Sequence, residues 1–368
     1  MKQISYIYKS GRTQRLEESN LHAKEFYYSL EYFQDKYPNL KVIEDKDGLN
    51  KNYLLIDRLL QKFKLPIHFN KIISKENLET IKNSDIIFST NPGLAITLSP
   101  LLRRYKKRKN IKFFTINSGI FTNIYSSKIG RNPFKNIFIK YFLKTVDFIV
   151  FTSKTEHEVI SKIFTKFNSK FVHQSFCIDT DFWVTELIDS KEKNGILFIG
   201  NDLNRDFSGA IDIARRLPNI EFKFVTSQIK KSRELPENIT LIKGNWNENI
   251  LSDEDIKDLY KKSRLVFLPI RDTLVASGQS VAMQSMATGT PVMISKTSGF
   301  WDFDNFINDT NIFLLEDNSI NSWTNKINEV YENYDLLDKL SANGQELIRN
   351  KFNLNKFSER LEELFTKQ

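Results

Sequence analysis

Short apolar runs recur along this chain, each closed by a glycine, a proline or a few small polar residues, with helical stretches between them. In the second half the rhythm is plain: Ile196–Ile199 closes on Gly200, Leu265–Leu268 closes on Pro269, and each is followed by a helix-like segment. A strand buried on both faces reads as a continuous apolar run, so runs alternating with helices predict parallel sheets covered on both sides. The predicted strands of the second half are Ile196–Ile199, Ile220–Val225, Ile239–Ile242, Leu265–Leu268, Pro291–Ile294 and Ile312–Leu315. Helices are predicted over 206–217, after the N-cap Ser252, over 280–288, and in three closing stretches over 319–331, 334–348 and 354–365. The first half carries the same pattern more faintly. Strand signals fall at 4–8, 41–43, 86–89, 112–116 and 148–151, and helical spacing at 17–33 (Leu21, Phe26, Leu30, Phe33) and at 53–63.

A chain of 368 residues suits two ordinary domains. The polar stretch Asp179 to Lys193 marks the boundary, giving a first domain over 1–182, a second over 183–350 and a final helical segment over 351–368.

Charge separates the halves. Residues 1–182 hold 31 Lys+Arg against 17 Asp+Glu, whereas the remainder holds 23 against 28. Residues 101–150 alone carry 12 basic residues and 1 acidic one. Two readings stand: a solvated basic surface, or a face toward something anionic. The single cysteine, Cys177, allows no internal disulfide and fits a reducing compartment. The longest apolar candidate, Phe134 to Phe151, is broken by Lys135, Lys140, Lys144 and Asp147, and Met1 to Ser10 lacks a signal-peptide core. The expectation is a cytoplasmic protein.

Several chemistries find no sequence support. No dinucleotide fingerprint, Walker loop or nucleophile elbow occurs. The four histidines lack metal-ligand spacing. Two Asp-x-Asp triplets, Asp179-Thr180-Asp181 and Asp302-Phe303-Asp304, are weak metal candidates. No metal and no cofactor is predicted.

Three loops at carboxyl ends of predicted strands carry the chemistry. The first is Gly200-Asn201-Asp202-Leu203-Asn204-Arg205-Asp206, where Gly200 permits close backbone approach and Arg205 offers a forked pair of donors to a phosphate. The second is Lys243-Gly244-Asn245-Trp246; Trp246 either flanks a flat base or packs in the core. The third runs from Pro269-Ile270-Arg271-Asp272 to Ser277-Gly278-Gln279-Ser280, which opens a helix. Its free N–H groups and dipole make an anion seat, and Gln284 lies one turn further on.

The order Ile196-Leu197-Phe198-Ile199-Gly200, Arg205, Gly244, Leu268-Pro269 and Ser277 to Val292 resembles the donor domain of GT-B-fold glycosyltransferases, in particular the large retaining group, glycosyl transferases group 1. The most specific piece is Met286-Ala287-x-Gly289-x-Pro291-Val292, followed by Ser295 and Gly299. The resemblance spans about Gly195 to Trp301. It implies two Rossmann-like α/β domains facing a cleft, with the last helix crossing back onto the first. Arg205 would contact the donor diphosphate, and Ser277, Gly278, Gln279 and Ser280 would cradle it, with Gly200 and Asn204 alongside. Gly244, Asn245 and Trp246 would flank the base. Gln284 stands where the group usually has a ribose-binding glutamate. Ala276 stands where a second glutamate would hold the sugar, which leaves Arg271 or Asp272 to do so. In the first domain, Ser10-Gly11-Arg12 follows the first strand, and similar loops in the group touch donor phosphate and acceptor. Gly11 and Arg12 thus join Arg205 as catalytic candidates, although an ordinary turn with an exposed arginine is an equal reading. The group's frequent first-domain histidine is missing; Asn117-Ser118-Gly119 follows the 112–116 strand.

The expected reaction moves a sugar from a nucleoside diphosphate sugar to a hydroxyl acceptor, a glycan or a lipid-linked species, as in bacterial polysaccharide synthesis. If the resemblance holds, configuration is retained. The cations Arg103, Arg104, Lys106, Lys107 and Arg108 beside aromatic residues suit an anionic membrane surface. No nucleic-acid motif accompanies them. The alternatives are a non-catalytic nucleotide- or glycan-binding protein and a nucleotide-sugar epimerase.

Overall fold

The computed structural model describes residues 2–18, 21–62, 67–117, 119–121, 133–230, 234–244 and 250–366, with the backbone alone for 133–136. The chain forms two compact units. The first comprises Met1–Glu17, Phe26–Ser175 and Phe357–Gln368, and the second Glu18–Glu25 and Phe176–Lys356.

In the first unit the strands are β1 (Ile4–Tyr8), β2 (Lys41–Glu44), β3 (Ile86–Ser89), β4 (Lys112–Asn117), β5 (Phe148–Phe151) and β6 (Phe171–His173). All neighbours pair parallel, in the order β2-β1-β3-β4-β5-β6. The helices are α1 (Arg12–Glu17), α2 (Leu30–Lys36), α3 (Leu54–Lys62), α4 (Phe69–Ile72), α5 (Lys75–Asn83), α6 (Pro92–Tyr105), α7 (Pro133–Thr145) and α8 (Lys154–Ile163). Central strands β1 and β3 are buried along their whole length, as their continuous apolar sequence requires.

The second unit begins with α9 (Thr180–Trp183). Its strands are β7 (Ile196–Ile199), β8 (Phe222–Val225), β9 (Ile239–Ile242), β10 (Leu265–Leu268), β11 (Val292–Ser295) and β12 (Phe313–Leu315), all parallel, in the order β12-β11-β10-β7-β8-β9. Its further helices are α10 (Phe207–Arg216), α11 (Asp253–Lys262), α12 (Gln279–Ala287), α13 (Ile320–Val330) and α14 (Tyr334–Lys351). Ser252 and Asp255 form a reciprocal capping box at the start of α11. One face of the core is aromatic: Phe267 meets Phe198, Phe222, Phe224 and Trp323 at ring-centroid distances of 5.5–6.0 Å.

The last helix, α15 (Leu354–Thr366), returns to the first unit, as the resemblance implied. Phe365 is fully buried with its ring 4.9 Å from those of Phe33 and Phe114, and Glu362 accepts a bond from Tyr32 at 2.6 Å.

The helix predicted over 17–33 does not form. α1 stops at Glu17, Tyr28 and Ser29 take left-handed backbone angles, and α2 starts at Leu30. The apolar spacing misled because polar contacts override it. Leu21 is exposed, whereas His22 and Glu25 are buried in the second unit, to which Glu18–Glu25 belong. The edge strand β6 was not anticipated.

Candidate functional site

In the second unit β7 and β10 are neighbours, and the chain leaves them toward opposite edges of the sheet. Loops at the carboxyl ends of such a pair diverge and leave a crevice. Backbone and side-chain hydrogen bonds lock them together. The Asp206 amide donates to the Pro269 carbonyl at 2.9 Å and the Arg271 amide to the Asn204 carbonyl at 2.8 Å. Asn204 Nδ2 donates to Ser277 Oγ at 2.7 Å. Asn201 joins the third loop, donating to the Gly244 carbonyl at 2.8 Å and accepting from the Thr226 hydroxyl at 2.9 Å and the Ser227 amide at 2.7 Å. The three predicted loops thus meet at one edge.

Arg205 lies at their junction, 2% exposed. Two glycines with left-handed backbone make room for it. A Cβ on Gly200 (φ +142°) would fall 2.6 Å from its Nε, and one on Gly278 (φ +82°) 3.0 Å from its Nη1. Asp202 Oδ2 stands 3.0 Å from Nε. Burial pulls the guanidinium pKa down and the Asp202 carboxylate opposes this; arginine stays charged regardless. Nη1 is buried and finds no hydrogen-bond partner among the described residues.

Gly278 is also the N-cap of α12, which opens with no side-chain cap. The first-turn amides of a helix have no acceptor within it. A buried cation with an unmatched donor therefore adjoins an open, partly positive helix end. Such an arrangement accepts an anion, and a diphosphate matches its two parts.

Gln284, 8% exposed on α12, has both ends of its amide committed within the unit. Its Nε2 donates to Glu25 Oε1 at 2.7 Å, and its Oε1 accepts from the Tyr260 hydroxyl at 3.3 Å. Glu25 also accepts from Trp183 Nε1 at 3.0 Å. Burial, followed by the charge of Asp253, raises the Glu25 carboxyl to about 7. Nothing in the sequence placed Glu25 here; the one available signal was the amide at 284 where the group's pattern has a carboxylate.

Asp272 is taken up by the Ser298 amide and hydroxyl, both at 2.7 Å, and Arg271 reaches Asp206 at 3.2 Å. Asp272 also borders an open depression of about 310 Å³ lined by Lys296, Thr297, Ser298, Phe303 and Glu316. Ala276 is half-buried. Gly244 is buried, with the Val225 side chain where a Cβ would stand. Asn245, Trp246 and Ser118 lie outside the described residues. Asp302 caps the turn that follows it through the amides of Asp304 and Asn305, and Asp179 accepts from the amides of Lys24 and Phe182.

In the first unit, Gly11 (φ +91°) leads into α1, and the Arg12 guanidinium carbon lies 5.4 Å from the Phe26 ring centroid. Burial lowers the Arg12 pKa, against the pull of Tyr28, Tyr27 and Tyr8. Gly119 has left-handed backbone (φ +77°). Beyond β4 and β5, Glu156 is 4% exposed, Oε1 has no hydrogen-bond partner among the described residues, and burial raises its carboxyl to about 7. At the end of α6, Arg103 stacks on Tyr141 (4.6 Å) and Lys106 binds Asp147 (2.5 Å), while Arg104, Lys107 and Arg108 are exposed.

Comparison with known proteins finds the same fold. HepE from Anabaena, solved with UDP and glucose, superposes with a TM-score of 0.68 at 11% identity over 100% of both chains. Sucrose-phosphate synthase from Thermosynechococcus elongatus gives 0.67 at 13% over 99% of this chain and 98% of its own. A glycosyltransferase from Rickettsia africae gives 0.61 at 15% over 99% and 97%. At such identities the likeness is one of fold, two parallel six-stranded sheets with flanking helices. A comparison with curated proteins returns no sequence match. The sequence model of the family Glycosyl transferases group 1 matches residues 189–347. The matched stretch lies within the second unit and includes Gly200, Arg205, the Gly278 cap and Gln284.

Proposed function

We propose that the protein is a glycosyltransferase that binds a nucleoside diphosphate sugar at the carboxyl edge of the second unit's sheet and passes the sugar to a hydroxyl acceptor. One observation carries the reading: the buried Arg205 guanidinium, packed between Gly200 and Gly278, adjoins the uncapped N-terminus of α12. Charge develops on the diphosphate as the glycosidic bond breaks. Fixed donors held out of water offset that charge without reorganising. Arg205 supplies a full positive charge and α12 its aligned amides. HepE was solved with UDP and with UDP-glucose, so UDP is the nucleotide of first choice. The resemblance to the retaining group makes retention of configuration the expected outcome.

The first unit's basic residues support an acceptor at a membrane surface, as a lipid-linked or cell-surface glycan would be. Exposed Arg104, Lys107 and Arg108 supply charge, and exposed Leu55, Leu59 and Ile137 supply apolar area. Among the described residues no helix is long and apolar enough to cross a membrane, so the association would be peripheral.

Thermal shift with UDP, GDP and their sugars, followed by release of nucleoside diphosphate with and without acceptor, tests the reading. UDP stabilisation with acceptor-dependent release is expected. Stabilisation without turnover on any acceptor would instead identify a nucleotide-binding protein, and no stabilisation by any nucleotide at millimolar concentration would overturn the site. Flotation with anionic vesicles at low salt tests the membrane part, which fails if the protein does not float.

A further inference from the structure

The resemblance implies a carboxylate at 284, and this chain has an amide. The structure returns a carboxylate to that place from a distant part of the sequence. Glu18–Glu25 leaves the first half of the chain to join the second unit. It is held there by its backbone: the Ala23 amide donates to Asp253 Oδ2 at 3.0 Å and the Lys24 amide to Asp179 Oδ2 at 3.1 Å. His22 Nδ1 stands 3.5 Å from Asp253. The segment thereby delivers the fully buried Glu25 side chain to Gln284 Nε2, 2.7 Å away.

We infer that Glu25 and Gln284 form one recognition unit in donor binding, in which Glu25, a positioning residue, fixes the orientation of the Gln284 amide toward the nucleotide. The inference rests on the proposed donor site. An amide can turn over and exchange its donor and acceptor ends. Here a carboxylate, which only accepts when ionised, holds the NH2 end, and the Tyr260 hydroxyl meets the oxygen end. The remaining N–H and lone pair are therefore fixed in direction, and one donor beside one acceptor is a set that a vicinal diol can pair with. Gln284 sits on the helix whose open end adjoins Arg205, and the Tyr260 hydroxyl and the Arg205 guanidinium interact electrostatically. The line Glu25, Gln284, Tyr260 thus ends at the phosphate seat.

The pair also accounts for the amide at 284. A glutamate there would put two buried carboxylates within hydrogen-bonding distance, with Asp253 and Asp179 adding negative charge. Such a pair cannot stay fully ionised and shares a proton. The carboxylate and the amide are each needed, but their places are interchangeable in principle.

UDP titration calorimetry on wild type, Glu25→Gln, Gln284→Glu and the swapped double variant Glu25→Gln/Gln284→Glu, each at pH 6 and pH 9, tests this. All three variants are near-isosteric, and circular dichroism reports folding. The groups facing the pair are Asp253, Asp179, His22, Lys24, Trp183 and Tyr260, none of which is changed. Gln284→Glu alone is expected to weaken UDP at least 10-fold at pH 9 and by much less at pH 6, where the two carboxyls share a proton. The swap is expected to return UDP affinity to within about 3-fold of wild type and to remove most of that pH dependence; a purely structural contact would restore the fold without restoring this profile. If Gln284→Glu fails to fold, recovery of folding and of UDP binding in the swap still supports the pair. A swap that binds UDP no better than Gln284→Glu, or a Gln284→Glu protein that binds as wild type at both pH values, overturns it. Arg205→Ala separates the two layers: lost UDP binding there, with no coupling between 25 and 284, removes the pair and leaves the donor site standing. Wild type that does not bind UDP removes both.

Discussion

The two sheets have related strand orders, and each has one pair of adjacent strands from which the chain departs in opposite directions: β1 and β3 in the first unit, β7 and β10 in the second. Such pairs are where open α/β sheets take ligands, yet the helix ends there differ. In the first unit the chain fills them itself. Glu44 accepts from the Thr13 amide at the start of α1, and Asn91 caps α6 by accepting from the Leu94 amide. In the second unit Asp206 caps α10, but α12 opens on Gly278 with no cap and with Arg205 packed beside it. A capped helix end has little left to offer an anion; an open one next to a buried cation has unspent donors. Equivalent places in related folds therefore make a scaffold in one unit and, in the proposed reading, an anion seat in the other.

The sharpest way to break this comparison is to remove the cation. Arg205→Ala should weaken UDP binding by about 10²–10³-fold, or about 3–4 kcal/mol, the range for losing a buried charge-assisted contact. Calorimetry with UDP reads it, and unchanged affinity would mean that the open helix end is not the site.

A buried carboxyl gives the next effect, in the first unit. Glu156 has a folded-state pKa near 7 because burial disfavours its charge. The unfolded value is lower, so the native state binds the extra proton and its stability falls as pH rises between the two. Above both, the loss is about 3 kcal/mol. Glu156→Gln should leave stability unchanged near pH 4 and raise it by up to that amount at pH 9, measured by urea unfolding at both. Glu25 has a carboxyl displaced to the same value, but donors from Gln284 and Trp183 meet it. The same exchange there should recover less, because it also weakens those bonds.

How far the sequence revealed this difference follows from the range of the interactions. Strands such as Leu265–Leu268 are written locally, as apolar runs ended by a breaker, so every strand but the short β6 was legible in its order along the chain. The meeting of the Arg205 loop with Ser277–Ser280 was within reach too, because Gly200, Arg205 and Ser277–Ser280 come in short stretches whose backbone needs are local. The capping of α6 by Asn91 was within reach, since asparagine before Pro92 is a standard helix start. What stayed hidden was long-range. Glu25 and Gln284 are 259 positions apart in the chain, and the helical spacing of Leu21, Phe26, Leu30 and Phe33 gave no hint that the segment between them leaves its own unit. A buried polar contact outweighs periodicity, and only the folded chain reveals which contact it is. The partners of Asp272 and Arg271 were equally beyond local reading: Asp272 is bound to Ser298 and Arg271 to Asp206.

The two smallest effects test the comparison from either side. Gly278→Ala puts a side chain at φ +82°, 2.9 Å from Ile270 Cδ1 and 3.0 Å from Arg205 Nη1. The backbone strain costs about 1–2 kcal/mol, and the displaced guanidinium should lower UDP affinity as well, so melting temperature and affinity should fall together. Asn91→Ala removes the cap of α6 and should cost about 1 kcal/mol of stability. Its effect on UDP affinity should be nil, because the first unit's helix end serves the fold. If Asn91→Ala weakened UDP as Gly278→Ala does, the capped end would be a ligand site too, and the contrast between the two sheets would lose its physical basis.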